Sequence, residues 1–105
     1  MRILLLEDDP TLLALFHRAF SRRGWEVHPV ADAASVAQAA TAGPFDAVVA
    51  DQSILARLSG PPAGPLLVLS GLPWQPDRPD AAFLQKPFTL ESLLEAVESL
   101  VSGAR

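Results

Sequence analysis

Asp46-Ala47-Val48-Val49-Ala50-Asp51 is a run of small and β-branched residues closed at both ends by carboxylates. An apolar run this short, bounded by turn signals, predicts a buried strand with Asp51 where the chain leaves the sheet. In an open α/β sheet ligands bind at the carboxyl ends of the strands, so a carboxylate delivered there is placed for chemistry. Taken alone, Asp51 reads first as a strand-terminating cap of a turn. The polar groups that the rest of the chain brings to the same edge change that reading.

Outward from this strand, the pattern alternates. Ile3-Leu4-Leu5-Leu6 is a continuous apolar run, as expected of a strand covered on both faces, and it ends in Glu7-Asp8-Asp9-Pro10. Asp9 is placed to cap a helix whose first residue is Pro10. Leu12, Leu13, Phe16, Ala19 and Phe20 follow at helical spacing, and Arg22, Arg23 and Gly24 supply the stop. Trp25 to Val30 predicts a second strand, at a sheet edge because of Pro29. Asp32 caps a predicted Ala-rich helix over Ala33 to Ala42, stopped by Gly43-Pro44. The order up to Asp51 is therefore βαβαβ.

Beyond Asp51 the regularity fails. Ser59 to Pro79 holds six prolines and three glycines, with Leu66-Leu67-Val68-Leu69 as the one credible strand inside it. Proline removes donors and fixes φ, so no long helix is expected on either side of that strand; a short turn over Ile54 to Leu58 is. Ser70-Gly71 closes the strand, and Leu72 to Asp80 reads as loop. Ala81 to Gln85 predicts a fifth strand, followed at once by Lys86-Pro87. Thr89 caps a last helix with an apolar stripe at Leu90, Leu93, Leu94, Val97, Leu100 and Val101, ending at Gly103.

Composition narrows the function classes. A chain of 105 residues, 50% hydrophobic, predicts a single domain over 1–105 with one core and no room for an appended effector domain. The absence of cysteine removes disulfides and thiolate metal sites and fits a cytoplasmic setting. No apolar run is long enough for membrane insertion, and the acidic residues after Met1-Arg2 come too early for a signal peptide. A net charge of −4 argues against direct nucleic-acid binding, which needs a basic face. His17 and His28 lie in a predicted helix and strand with no carboxylate spacing around them and read as non-functional.

In a parallel sheet, four strand ends present Glu7 and Asp8, Asp51, Ser70, and Lys86 at one edge. Three crowded carboxylates repel unless protons or a cation relieve them. The predicted relief is a hard divalent ion with oxygen ligands, Mg²⁺ or another divalent cation. With a metal there, one carboxylate can take up a phosphoryl group as nucleophile while a hydroxyl and an ammonium bind phosphate oxygens. The same crowding predicts that Asp51→Asn raises stability in metal-free buffer.

Glu7-Asp8, Asp51, Ser70-Gly71 and Lys86-Pro87-Phe88, each after a strand and in this order, resemble the signature of response-regulator receiver domains of two-component signalling. The resemblance implies a flavodoxin-like five-stranded parallel sheet of order 2-1-3-4-5 flanked by helices, with the family's third and fourth helices reduced or replaced by Pro-rich loops. It makes Asp51 the phosphoacceptor, with Asp8 a direct Mg²⁺ ligand, Glu7 acting mainly through water and the Ser53 main-chain carbonyl completing the protein ligands. Ser70 matches the hydroxyl that bonds the phosphoryl group, Lys86 the family's lysine, and Phe83 its aromatic switch. The implied donor is a phosphohistidine on a sensor histidine kinase or a histidine phosphotransfer protein in a phosphorelay. The downstream protein target is unknown; because no long helix intervenes after Ser70-Gly71, the output is expected to be read at the loop Leu72 to Asp80 and the exposed side of the fifth strand, where Pro73, Pro76 and Pro79 restrict the loop backbone and Trp74 offers an anchor.

Two other readings compete with a phosphorylatable single-domain regulator. One is a degenerate receiver that works as a phosphorylation-independent protein-interaction module. The other is an enzyme: Glu7-Asp8-Asp9-Pro10-Thr11 with Ser70 and Lys86 faintly resembles haloacid-dehalogenase phosphatases, but their nucleophile is an aspartate where this chain has Glu7, and their cap and later acidic pair find no space. The expectation is a phosphoacceptor and not an enzyme.

Overall fold

The computed structural model of the chain describes residues 1–60, 62, 64–73 and 79–103. Strands β1 (Arg2–Leu6), β2 (Glu26–Val30), β3 (Ala47–Asp51), β4 (Leu66–Ser70) and β5 (Ala81–Gln85) form one sheet of order β2-β1-β3-β4-β5 with every pairing parallel. This is the flavodoxin-like arrangement. Pro29 lies on β2, an edge strand, opposite Leu5, where a missing donor leaves no interior ladder broken.

The two-residue period of the central strands sorts the core into two layers. Ile3, Leu5, Ala47, Val49, Leu67 and Leu69 pack with Phe16 and Phe20 of α1 (Pro10–Arg22) and with Leu93 and Val97 of α4 (Leu90–Gly103). Leu4, Leu6, Val48, Ala50, Leu66 and Val68 pack with Val36 of α2 (Val36–Ala40) and Ile54 of α3 (Gln52–Leu55). Burying both faces is what demands the unbroken apolar runs of β1, β3 and β4. Truncating a fully buried member such as Leu5→Ala removes about 2–5 kcal/mol.

Caps set the helix positions. Asp9 Oδ1 accepts from the N–H groups of Thr11 and Leu12 at 2.9 and 3.2 Å, with Pro10 as the first helical residue. Gly24, at φ +81°, ends α1 in the left-handed region and donates to Ser21 O at 3.0 Å. Thr89 Oγ1 accepts from Ser92 N at 3.0 Å at the start of α4.

Two helices differ from expectation. The segment predicted as one helix over Ala33 to Ala42 is a 3₁₀ turn, Ala33–Ser35, followed by the five-residue α2. Asp32 tightens its start by accepting from Ser35 N at 2.9 Å, and the Thr41 hydroxyl donates to Gln38 O at 2.6 Å at its end. The turn expected at Ile54 to Leu58 instead begins as helix directly after Asp51, because Asp51 is itself the cap. Its α-helical part is four residues long and ends in turns up to Leu58, with Leu58 N donating to Leu55 O at 3.1 Å. Among the described residues between β4 and β5 there is no helix, as the prolines predict; Trp74 and Pro76 lie outside the described residues. No helix among the described residues is long and apolar enough to cross a membrane.

Opposite the carboxyl edge, Arg2 clasps the sheet. Its guanidinium donates to the carbonyls of Ala42 and Pro44 at 2.8 Å each and to Glu26 at 2.6 Å, and lies 5.0 Å from the Phe45 ring centre. His28 belongs to this clasp, with Nε2 2.9 Å from Glu26 and its ring edge-on to Phe45. That accounts for His28 structurally.

Candidate functional site

Parallel strands put Glu7 and Asp8, Asp51, Ser70 and Lys86 at one edge of the sheet. Glu7 is the residue after β1 and is held there by donating its N–H to Val30 O at 3.1 Å. Asp51 ends β3, and its side chain turns back to accept from Ser53 N at 3.0 Å. Ser70 ends β4, and Lys86 follows β5, its N–H donating to Ser70 O at 2.8 Å. The Lys86–Pro87 bond is cis, as a sharp turn between β5 and the Thr89 cap suggests.

One oxygen from each of Glu7, Asp8 and Asp51 lies within 4.8 Å of the others. Lys86 Nζ donates to Asp51 Oδ1 at 2.5 Å, and Ser53 Oγ donates to Asp51 Oδ2 at 2.6 Å. The same Ser53 hydroxyl is 3.2 and 3.3 Å from the Asp8 oxygens. The three acids differ in setting: Glu7 and Asp51 are buried, Asp8 exposed.

Their electrostatics differ accordingly. Burial first, and then the Asp51 charge and the Asp8 side chain, push the Glu7 carboxyl up to about 7; a hydrogen bond from Asp9 N and the Lys86 charge oppose this without cancelling it. Burial alone also raises the Asp51 carboxyl, but the hydrogen bonds of Lys86 and Ser53 together outweigh it and hold Asp51 below the usual range. Lys86 is the converse case. Burial lowers its ammonium, while Asp51, Glu7 and Asp8 together lift it above the ordinary lysine value.

The carboxylates suit a hard divalent cation on the evidence of the chain's own atoms. Glu7 Oε1 is buried with no hydrogen-bond partner among the described residues, although the other oxygen accepts from Asp9 N at 3.2 Å. An orphaned buried acceptor beside two further carboxylates is what an oxygen-loving ion or its bound water relieves. Asp9, by contrast, faces its own helix as a cap.

Arg57 went unnoticed in the sequence. Its Nη2 donates to Asp8 Oδ2 at 2.8 Å and its Nε to Ser53 O at 3.2 Å. The readable signal was the i, i+4 spacing from Ser53 within the helical turn that Asp51 caps. Ser70 is buried, and its hydroxyl donates to Leu72 O at 2.9 Å and accepts from Leu72 N at 3.1 Å. Phe83 is half-buried on β5 opposite Val68, on the face of α2 and α3.

Comparison with known proteins bears on the fold and the sequence as a whole. No family model matches the chain. It is 32% identical to the transcriptional regulatory protein TcrA of Mycobacterium tuberculosis over 95% of its length, and spans 46% of that protein. The receiver domain of the hybrid histidine kinase CckA superposes with a TM-score of 0.77 at 25% identity, covering 96% of this chain and 99% of that one. The receiver domain of the Pseudomonas aeruginosa sensor histidine kinase PA1611, described with a magnesium ion coordinated in its active-site cleft, superposes with a TM-score of 0.72 at 21% identity over 96% of this chain and 97% of its own. With this fold and a TcrA-like sequence, the chain belongs to the receiver domains of response regulators.

Proposed function

We propose that residues 1–105 act as one receiver domain, a cytoplasmic phosphorylation-controlled switch in which Asp51 accepts a phosphoryl group in a Mg²⁺-dependent reaction. The observation that carries this reading is the Lys86 ammonium 2.5 Å from Asp51 Oδ1, beside the acidic pair Glu7 and Asp8. An ionised aspartate held below its usual range is a carboxylate nucleophile at neutral pH. The donor is a phosphohistidine on a sensor histidine kinase or a phosphotransfer protein. An Asp51 oxygen forms the new O–P bond as the P–N bond breaks, and the departing imidazole nitrogen takes up a proton from solvent.

Asp8, Asp51 and the Ser53 carbonyl would hold the divalent ion, with Glu7 acting through water; when bound, the ion neutralises charge on the phosphoryl oxygens. The PA1611 receiver, with magnesium in its cleft, supports this assignment. Lys86 binds a phosphoryl oxygen through its ammonium, and Ser70 does so through its hydroxyl once it leaves Leu72. Phe83 follows Ser70 as the switch. One phosphoryl group is taken up per molecule, so the domain is a phosphoacceptor and not a turnover enzyme. Its output goes to a downstream protein, without direct contact to nucleic acid or membrane.

The test is the intact mass of the protein after incubation with acetyl phosphate, with and without Mg²⁺. The expected result is a single phosphoryl adduct that needs Mg²⁺ and disappears in Asp51→Asn. An unmodified wild-type protein would leave the alternative, an interaction module that no longer cycles phosphate. Label on Asp9 would refute the Asp51 assignment.

A further inference from the structure

Arg57 sits on two of the groups assigned above to the metal. Its Nη2 donates to Asp8 Oδ2 at 2.8 Å while its Nε donates to the Ser53 carbonyl at 3.2 Å. A guanidinium presents its donors in a rigid planar fork, which suits a carboxylate and a carbonyl held side by side. The fork is positioned by the chain itself: Asp51 caps α3, and residue 57 follows one turn after Ser53 with its N–H donating to Ile54 O at 3.0 Å.

We propose that Arg57 is a built-in counter-cation at Asp8 and the Ser53 carbonyl, which competes with a divalent ion for these two groups. The inference rests on the metal assignment above. Asp8 Oδ1 and the free lone pairs of Asp8 and the Ser53 carbonyl stay open to an ion, but an ion on them sets a divalent positive charge beside the guanidinium, which weakens the hold of each cation on these groups. The two cations therefore compete for the same carboxylate and carbonyl. Exposure decides how strongly they compete: the side chains of Arg57 and Asp8 are 56% and 36% accessible, so the pair is solvated and Arg57 can swing into water. Arg57 thus weakens metal binding without blocking it, and metal binding loosens the guanidinium in turn. It is a positioning residue that sets the metal concentration at which the site works.

The test is calorimetric titration of Mg²⁺ into the full chain, comparing wild type with Arg57→Ala, Arg57→Lys and, as a control for net charge, Arg18→Ala on α1. Arg57→Ala is expected to bind Mg²⁺ about two- to fivefold more tightly, the range set by an exposed ion pair. Arg57→Lys should fall between, since an ammonium cannot span both acceptors, and Arg18→Ala should match wild type. In nitrogen-15 spectra of the wild type, the Arg57 Nε–H signal should move as Mg²⁺ is added. Equal or weaker Mg²⁺ binding by Arg57→Ala overturns the inference while leaving the metal site standing, and so does an equal gain in Arg18→Ala. Absence of Mg²⁺ binding in every form removes the metal assignment and this inference with it.

Discussion

Lys86 Nζ reaches Asp51 Oδ1 at 2.5 Å across the end of β4, because β5 and β3 are not neighbours in the sheet. The lysine stem bridges two strand spacings, roughly 10 Å at the backbone. Ser70, at the end of the strand between them, is joined to the bridge by its carbonyl, which accepts from Lys86 N at 2.8 Å. One ion pair therefore closes the carboxyl edge over three strands.

The pair predicts the reverse of what carboxylate crowding suggests. Asp51 is held below the usual range by Lys86 and Ser53, so its charge is favoured by folding. Asp51→Asn should lower metal-free stability by about 1 kcal/mol. Lys86→Met should cost about 1–3 kcal/mol, between the exposed and buried limits for ion pairs, since Lys86 is one-third accessible. Urea unfolding of both single variants and the double variant checks this. The double variant should lose less than the sum, and strict additivity would show that the bridge carries no coupling.

Glu7 is where the repulsion falls. Its carboxyl is pushed up to about 7 in the folded protein, against 4.5 for an ordinary glutamate. The folded state thus binds more protons than the unfolded state between these values. Its contribution to stability is fully present below the unfolded value and is lost as pH rises towards about 7. Urea midpoints in chelator should fall over this window, and Glu7→Gln should flatten the slope. Mg²⁺ should bind more tightly as pH rises through the same window, because it competes with that proton.

Asp9 separates capping from chemistry. Its carboxylate accepts from Thr11 N and Leu12 N at 2.9 and 3.2 Å. Asp9→Ala should cost about 1 kcal/mol of stability, as loss of a helix cap does. Acetyl phosphate labelling of that variant should stay close to wild type, and loss of labelling in a folded variant would place Asp9 in the site.

Ser70 can donate to a phosphoryl oxygen only by withdrawing its one proton from the Leu72 carbonyl at 2.9 Å, and moving its oxygen toward the site also stretches the bond it accepts from Leu72 N at 3.1 Å. Leu72 is 75% exposed, so its N–H then exchanges with solvent. Beryllofluoride with Mg²⁺ should speed amide exchange at Leu72, with further changes in the loop up to Asp80 and at Phe83. Changes confined to α1 and α2 would show that the signal leaves by another route.

The strands were legible because each central one is apolar on both faces, and a continuous run of Val, Leu and Ile admits few other readings at that length. Asp9, Thr89 and Gly24 announced helix ends through local hydrogen-bonding chemistry, and local chemistry is written in neighbouring residues. The alignment of Glu7, Asp8, Asp51, Ser70 and Lys86 at one edge followed from parallel strands alone. Tertiary structure decided what each of these groups touches. Burial at the β1–β3 junction left Glu7 Oε1 without a partner among the described residues, the reach of Lys86 over β4 made Asp51 the favoured charge, and the helical turn after Asp51 carried Arg57 onto Asp8. Pairings of this kind depend on distances of tenths of an ångström between residues 35 to 49 positions apart, and no periodicity along the chain encodes them.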